Sequence, residues 1–378
     1  MVFWQFVTVH YNWDGNWTAL FCTGQLEHVP PQLQPGTYLF KNSVGYDGQM
    51  YRYIAHDPFA TSGWSQYFDA PVLRYRRILV PLLAFAVAGG RQGWIDAAYI
   101  AVIAGFVLAG SYWLSRWAMI HGRSAAWGMA FLLAPATLVS MDRMTVDVAL
   151  AALTVGFAYY AAVGSSAGLY SVLLLACLTR ETGVLLVAAA GIFELWSRRF
   201  TRAFCWASAA LPAAIWYLFV SMHLHADRVE RVVPRWFAGK PGWGILAQIL
   251  HPQQYGLPPA IEAVTRTLDV IALLAILAAV VAAIVLLFSR PADPLRLTGV
   301  MFAAVVILLT RPRYWDGCFG YSRVLTPLLL VIALDVACWK PAAHRWWWGL
   351  IPWLLVDLRV GLQLAPQALG ILKGIARG

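Results

Sequence analysis

Six ionisable residues stand out as polar positions in an apolar chain, where charge is costly: Asp47, Asp142, Asp147, Arg180, Glu181 and Arg323. Asp47 falls in Gly45-Tyr46-Asp47-Gly48-Gln49, ahead of a short run that closes at Asp57-Pro58. A turn into a short amphipathic helix is expected there. Met50, Tyr51 and Ile54 would share one face, Asp47 would sit at the N-cap, and Pro58 would stop the helix. Asp47 then has two readings. It caps a helix lying on a membrane surface, or it is a general base whose pKa is tuned by burial and neighbours.

Asp142 and Asp147 fall in Met141-Asp142-Arg143-Met144-Thr145-Val146-Asp147, between two apolar runs. Asp142 and Arg143 read by default as a solvated pair at a helix end. Asp147 lies just inside an apolar helix, where an ionisable group usually faces a cavity or a partner. Thr179-Arg180-Glu181-Thr182-Gly183 breaks another apolar stretch. Either Arg180 and Glu181 pair with each other to cap two helices, or Arg180 binds an anionic head group through its fork of donors.

A further arginine cluster runs from Arg311-Pro312-Arg313 to Tyr321-Ser322-Arg323, and a bound anion would explain it. Arg74, Arg76 and Arg77 raise the same question, with attraction to lipid head groups the plainer answer. His223 and His225 are too poor a signal for a metal site. Trp64, Tyr67, Trp236, Trp243, Tyr255 and Tyr314 suit sugar stacking or an interfacial aromatic belt equally. No Cys-x-x-Cys or Cys/His spacing is present, although Cys22 and Cys318 are expected in one compartment and could pair.

The elements that must position these residues are membrane helices. The chain has 378 residues, 60% of them hydrophobic and only 12% charged, a balance that excludes an ordinary soluble domain. Apolar runs lie near 78–90, 95–115, 124–140, 146–163, 167–179, 182–196, 203–222, 267–289, 297–310, 321–338 and 346–363. An all-α bundle of about ten or eleven crossings is expected, as a single membrane domain over 1–378. The net charge of +10 is dispersed in short clusters between these runs, which argues for topogenic charge and against nucleic acid.

Sidedness follows from parity. The run Ile78 to Gly90 is short and carries Pro81: it crosses, which would put segment 12–77 on the cytoplasmic side, or it dips into the interface and returns, the simpler reading and the one expected. Arg116 and Arg123, then Arg198, Arg199 and Arg202, then Arg290 and Arg296, then Lys340 and Arg345 all fall on one side, the cytoplasm. The opposite, outer side receives a first loop over 12–92, a second over 223–265, and the turns holding Asp142, Arg180 and Arg323. Met1 to Tyr11 is apolar but stops at Asn12, enough for about half the hydrocarbon layer. A partial first helix is expected, or a start codon placed too far downstream.

Several stretches together resemble bacterial members of the GT-C superfamily, multi-spanning glycosyltransferases that take sugar from a polyprenyl-phosphate carrier. In chain order these are Gly45-Tyr46-Asp47-Gly48-Gln49 with Asp57-Pro58, Arg76-Arg77-Ile78-Leu79-Val80-Pro81-Leu82-Leu83, Met141 to Asp147, Thr179 to Gly183, and Ser322-Arg323-Val324-Leu325-Thr326-Pro327. The resemblance implies a large outer loop with interfacial helices and an acidic residue in it, Asp47, acting as base or acceptor-orienting group. A second acid would be Asp142 or Asp147. Arg180 and Arg323 would hold the carrier phosphate, with Glu181, Arg76, Arg77, Tyr46 and Gln49 completing the substrate contacts.

It also implies a bacterial inner membrane with the active face outward, and partners limited to the polyprenyl-phosphate-linked sugar, an envelope acceptor and membrane lipids. No cofactor is read from the residues, and a need for a divalent cation stays open. The alternative is a non-catalytic subunit of a larger membrane complex, or a lipid-linked saccharide transporter, that retains the fold.

Overall fold

The computed structural model describes residues 1–224, 237, 239–289, 293–337 and 346–376. Arg290, Lys340 and Arg345, part of the charge asymmetry, lie outside the described residues, as do His225, Trp236 and Cys338. Glycine, proline and short polar turns cut the apolar runs into α-helices, with one isolated bridge, Gly24 to Phe40, and no strand among the described residues.

Before the bundle proper come α1 (Val2–Asn12), α2 (Asp47–His56), α3 (Pro71–Arg76) and α4 (Leu79–Val87). The bundle begins with α5 (Ile95–Ile120), α6 (Pro135–Arg143), α7 (Asp147–Val163), α8 (Ser166–Thr179), α9 (Val184–Trp196), α10 (Phe200–Ser208) and α11 (Leu211–His223). It ends with α12 (Trp243–Leu250), α13 (Pro259–Ser289), α14 (Pro294–Leu308), α15 (Cys318–Ala337) and α16 (Ile351–Ile375).

Among the described residues, five helical stretches are long and apolar enough to cross a membrane: Gln92–Ile120, Phe200–His223, Pro259–Ser289, Cys318–Ala337 and Trp348–Ile375. A sixth is added if Ala125–Leu133 and Pro135–Arg143, bent by 56° at Ala134, form one span. The expected ten or eleven also counts shorter apolar helices, among them Asp147–Val163, Ser166–Thr179 and Pro294–Leu308. The physical reason for their shortness lies in the polar turns: α7 and α8, which begin or end at Asp147 and Arg180, have 17 and 14 residues, about 25 and 21 Å at 1.5 Å per residue against a layer of about 30 Å. The chain is an all-helical, membrane-embedded protein. On α11, Leu211, Ile215, Leu218 and Met222 are exposed in a stripe of the kind lipid covers.

The core forms around α15. Nearly every residue from Cys318 to Val336 is buried, and α15 packs against α6, α7, α13, α14 and α16. A polar side chain on such a helix must find its partner inside the protein. Small residues let neighbouring helices approach closely: on α7, a Cβ at Gly156 would press on the Trp113 indole of α5 at 2.9 Å.

The segment around Asp47 differs from a surface helix. All of α2 from Gly48 to His56 is buried, including Met50, Tyr51 and Ile54, so it is wedged into the protein with no solvent face. Tyr46 is its N-cap and Asp47 its first residue, so Asp47 does not cap it. Gly45 adopts φ +77°, a backbone that side chains resist. Gly48 meets the Arg143 carbonyl so closely that a Cβ there would collide with it, and with the Phe21 carbonyl at 3.0 Å. Gly48→Ala is therefore expected to destabilise by about 2 kcal/mol or more through overpacking against backbone. Thermal unfolding in detergent measures it, and a variant as stable as the parent would contradict the tight fit.

Candidate functional site

Asp47 leaves the start of α2 pointing at cations. Its Oδ1 accepts from Arg74 Nη2 at 2.8 Å and its Oδ2 from Arg323 Nη2. Arg323 extends a second nitrogen, Nη1, to Asp147 Oδ2 at 2.9 Å, and Asp147 Oδ1 accepts from Arg180 Nη1. Arg74 is held from its far side by Asp69, at 3.0 and 2.7 Å. The result is a continuous relay: Asp69, Arg74, Asp47, Arg323, Asp147, Arg180. Beside it, Arg77 Nε donates to both oxygens of Glu181 at 3.2 Å, and its Nη1 donates to the Tyr51 hydroxyl at 2.8 Å.

Four of the six residues that opened the argument thus meet directly or through one partner: Asp47, Asp147, Arg180 and Arg323. Arg180 and Glu181 do not pair with each other; each turns to a different element. Arg74 and Arg77 are buried and paired, which corrects the expectation that they face lipid head groups. Arg76 lies over the Tyr217 ring at 5.4 Å. Gln49 accepts from the Gly24 amide at 3.1 Å and donates to the Val44 carbonyl at 2.9 Å, which uses its amide to fasten the loop ahead of α2. Asp142 is buried with its nearest cation in Arg143, Nε to Oδ2 at 3.2 Å, instead of forming a solvated surface pair.

The relay borders a cavity of about 530 Å³, within the range of small-molecule sites. Arg143, Arg313, Arg323 and Arg359 line it, and Asp316 is the carboxylate on its wall. Aromatic surface comes from Tyr46, Tyr255, Tyr314 and Phe319. Three of the four arginines have an acid at their back: Arg323 has Asp47 and Asp147, Arg143 has Asp142, and Arg359 donates from Nε to Asp269 at 2.6 Å. Tyr46 also supports Arg323, whose guanidinium carbon stands 5.0 Å from the ring centre.

Among these lining residues, three buried polar groups lack an acceptor or donor partner: Arg323 Nε, Arg143 Nη1 and the Tyr46 hydroxyl. A buried donor without a partner costs about 1–3 kcal/mol, so a site that keeps three of them calls for an explanation. A bound anion would supply one.

Asp316 and Asp269, with the Tyr255–Asp269 contact at 2.7 Å, carried no signal in the sequence, and Arg74 had no visible partner there. The run Pro312–Trp315 carries Asp316 to the wall as a short helical turn, a signal too local to see in advance. Cys22 and Cys318 are both free thiols on the cavity wall, not a pair. No group of three or more His, Cys, Asp or Glu side chains suited to a metal occurs among the described residues. Asp47, Asp142, Asp147 and Asp269 are held by guanidinium groups, which leaves Asp316 as the one carboxylate among the lining residues, a donor set poor for a divalent cation. No family model matches the chain, and neither do curated proteins or solved structures.

Burial alone would push the Asp47 carboxyl up, but Arg323 and Arg74 hold it well below the usual carboxylate range. The stabilisation this brings is present above the unfolded-chain pKa near 4 and is lost as pH falls through the lower folded value. Asp47→Asn is expected to cost about 3 kcal/mol at pH 7, because it removes one of the two carboxylates that hold each of two buried guanidinium groups. That deficit should begin to narrow below about pH 4, where the unfolded-chain carboxyl takes up its proton while the folded one stays ionised. Unfolding midpoints at pH 7 and pH 3 test this; a deficit of equal size at both would contradict the ion-pair account.

Proposed function

We propose that this chain is an inverting glycosyltransferase of the GT-C kind, drawing sugar from a polyprenyl-phosphate carrier on the extracytoplasmic face of a bacterial inner membrane. The observation that carries the reading is the set of unpartnered donors on Arg323, Arg143 and Tyr46 around one basic, aromatic cavity. The phosphodiester of a polyprenyl-phosphate sugar, and the monoester it leaves, offer the acceptors these donors lack, and aromatic rings offer a face for the sugar. Resemblance in five short motifs supports the choice of a sugar-bearing carrier over other anions.

In the proposed reaction the acceptor hydroxyl attacks the sugar C1 from the face opposite the phosphate. The C1–O bond to phosphate breaks, and the electron pair leaves on polyprenyl phosphate. Arg323, with Arg143 and Arg359, meets the negative charge that develops there. The acceptor proton needs a carboxylate whose basicity has not been suppressed. Asp47 and Asp147 are poor candidates as they stand, since arginines hold both of them; their duty in this scheme is to hold Arg323 in place. Asp316 is the better proton acceptor: it is half-buried on the cavity wall, and burial raises its carboxyl against the weaker pull of Arg313.

A non-catalytic subunit is the second reading. The observation that favours it is the full engagement of Asp47 by two arginines, which suits a structural clamp.

Arg313 is exposed on the cavity wall, so its removal spares the core. Arg313→Ala is expected to weaken binding of polyprenyl phosphate to the protein in nanodiscs about tenfold, or about 1.4 kcal/mol, with unchanged thermal stability. Unaltered affinity would remove the phosphate from this cavity. With a polyprenyl-phosphate hexose as donor, Asp316→Asn is expected to lower the rate of polyprenyl-phosphate release about a hundredfold or more and to leave donor affinity intact. A parent protein that binds the donor and releases nothing would favour the subunit.

A further inference from the structure

We propose that a second cavity, at the other end of α2, is a binding site for a neutral saccharide chain. It encloses about 510 Å³, again within the range of small-molecule sites. Its polar groups come from three separate elements: Arg52 and His56 on α2, Ser62 in the following turn, and Gln92 and Asp96 at the start of α5. Leu33, Pro35 and Trp64 give it an apolar side, and Gln32 another amide.

The polar groups are fixed before any ligand arrives. Arg52 donates from Nε and Nη2 to the two oxygens of Asp96, both at 2.8 Å, and from Nη1 to Thr37 Oγ1 at 2.8 Å. His56 Nε2 lies 3.1 Å from Asp96 Oδ1. The Gln92 amide is oriented by its nitrogen, which donates to the His56 carbonyl at 3.1 Å, so its oxygen faces His56 Nδ1. An ion pair alone would tie α2 to α5 without needing an open cavity over it.

The charge pattern selects the ligand class. Arg52 and Asp96 cancel, and all three guanidinium nitrogens of Arg52 already have acceptors, so the cavity has no spare cation for a phosphate or carboxylate. What a ligand meets is the Gln32 amide and the Ser62 hydroxyl on the rim, with the remaining donor and acceptor capacity of Gln92 and Asp96, beside apolar surface. That combination matches a molecule with many hydroxyls along its edges and C–H groups on its faces. The basic cavity has the opposite character, with spare cationic donors. Asp47 and His56 are nine residues apart on α2, about 14 Å along its axis, so one extended glycan could reach from one cavity toward the other. Binding here stands whether or not the basic cavity transfers sugar.

Saturation-transfer NMR on the full chain in nanodiscs tests it with maltotriose, mannotriose and chitotriose as neutral probes and trigalacturonic acid as the acidic comparison. At least one neutral trisaccharide is expected to show transfer, and the acidic one to bind no tighter. Ser62→Trp and Gln32→Trp, at exposed rim positions, are expected to weaken that binding at least tenfold. Arg313→Ala, in the other cavity, is expected to leave it unchanged. Transfer to none of the neutral probes, full binding in Ser62→Trp, or preference for trigalacturonic acid would each overturn the proposal. Polyprenyl-phosphate binding, measured on the same sample, reports on the basic cavity separately.

Discussion

Everything around the basic cavity depends on one guanidinium. Arg323 lies in the first turns of the most deeply buried helix and divides its donors between Asp47 and Asp147. In a low-dielectric core an uncompensated charge is prohibitive, so the arginine and its two acids must be present together. Attraction between them is largely offset by their desolvation, and the net gain in stability is modest. What the arrangement contributes is position. It brings into register four segments remote in the chain: the entry to α2, the turn before α7, the turn after α8 through Arg180, and the start of α15.

The same constraint sets the chemistry. Acids stand behind the arginines and leave donors without partners among the residues that line the cavity, so the site is prepared for negative charge without exposing bare cations to the bilayer. Arg359 with Asp269 and Arg143 with Asp142 repeat the pattern on other walls. Suppressed basicity at Asp47 follows from the geometry that makes Arg323 useful, which is why proton transfer is assigned to a different carboxylate, Asp316. The two cavities flanking α2 differ in this respect: one has cationic donors to spare, and the other is internally neutralised.

Much of this was legible in the residues. Charge at the edges of apolar runs singled out Asp147, Arg180 and Arg323, the Gly45–Gln49 turn singled out Asp47, and the structure joins them. Gly45 and Gly48 flanking Asp47 signalled a special backbone, and each has its reason in a positive φ or a close approach. Partner identity was not legible. Arg180 and Glu181 are adjacent in sequence yet face Asp147 and Arg77, because consecutive side chains at a turn point apart. Arg74 and Arg77 looked like head-group ligands because nothing local announces Asp47 or Glu181 as their partners. The number of crossings was not legible for a related reason: apolar composition marks a buried helix as readily as a lipid-spanning one, and the helices ending at the paired turns are short.

The most direct measurement is a cryo-EM map of the protein in nanodiscs saturated with polyprenyl phosphate. Phosphate density within hydrogen-bonding distance of Arg323 Nε and Arg143 Nη1, with the Tyr46 hydroxyl turned toward it, is the expected result. A saturated protein with lipid phosphate seated elsewhere, and those donors still without partners, would contradict it.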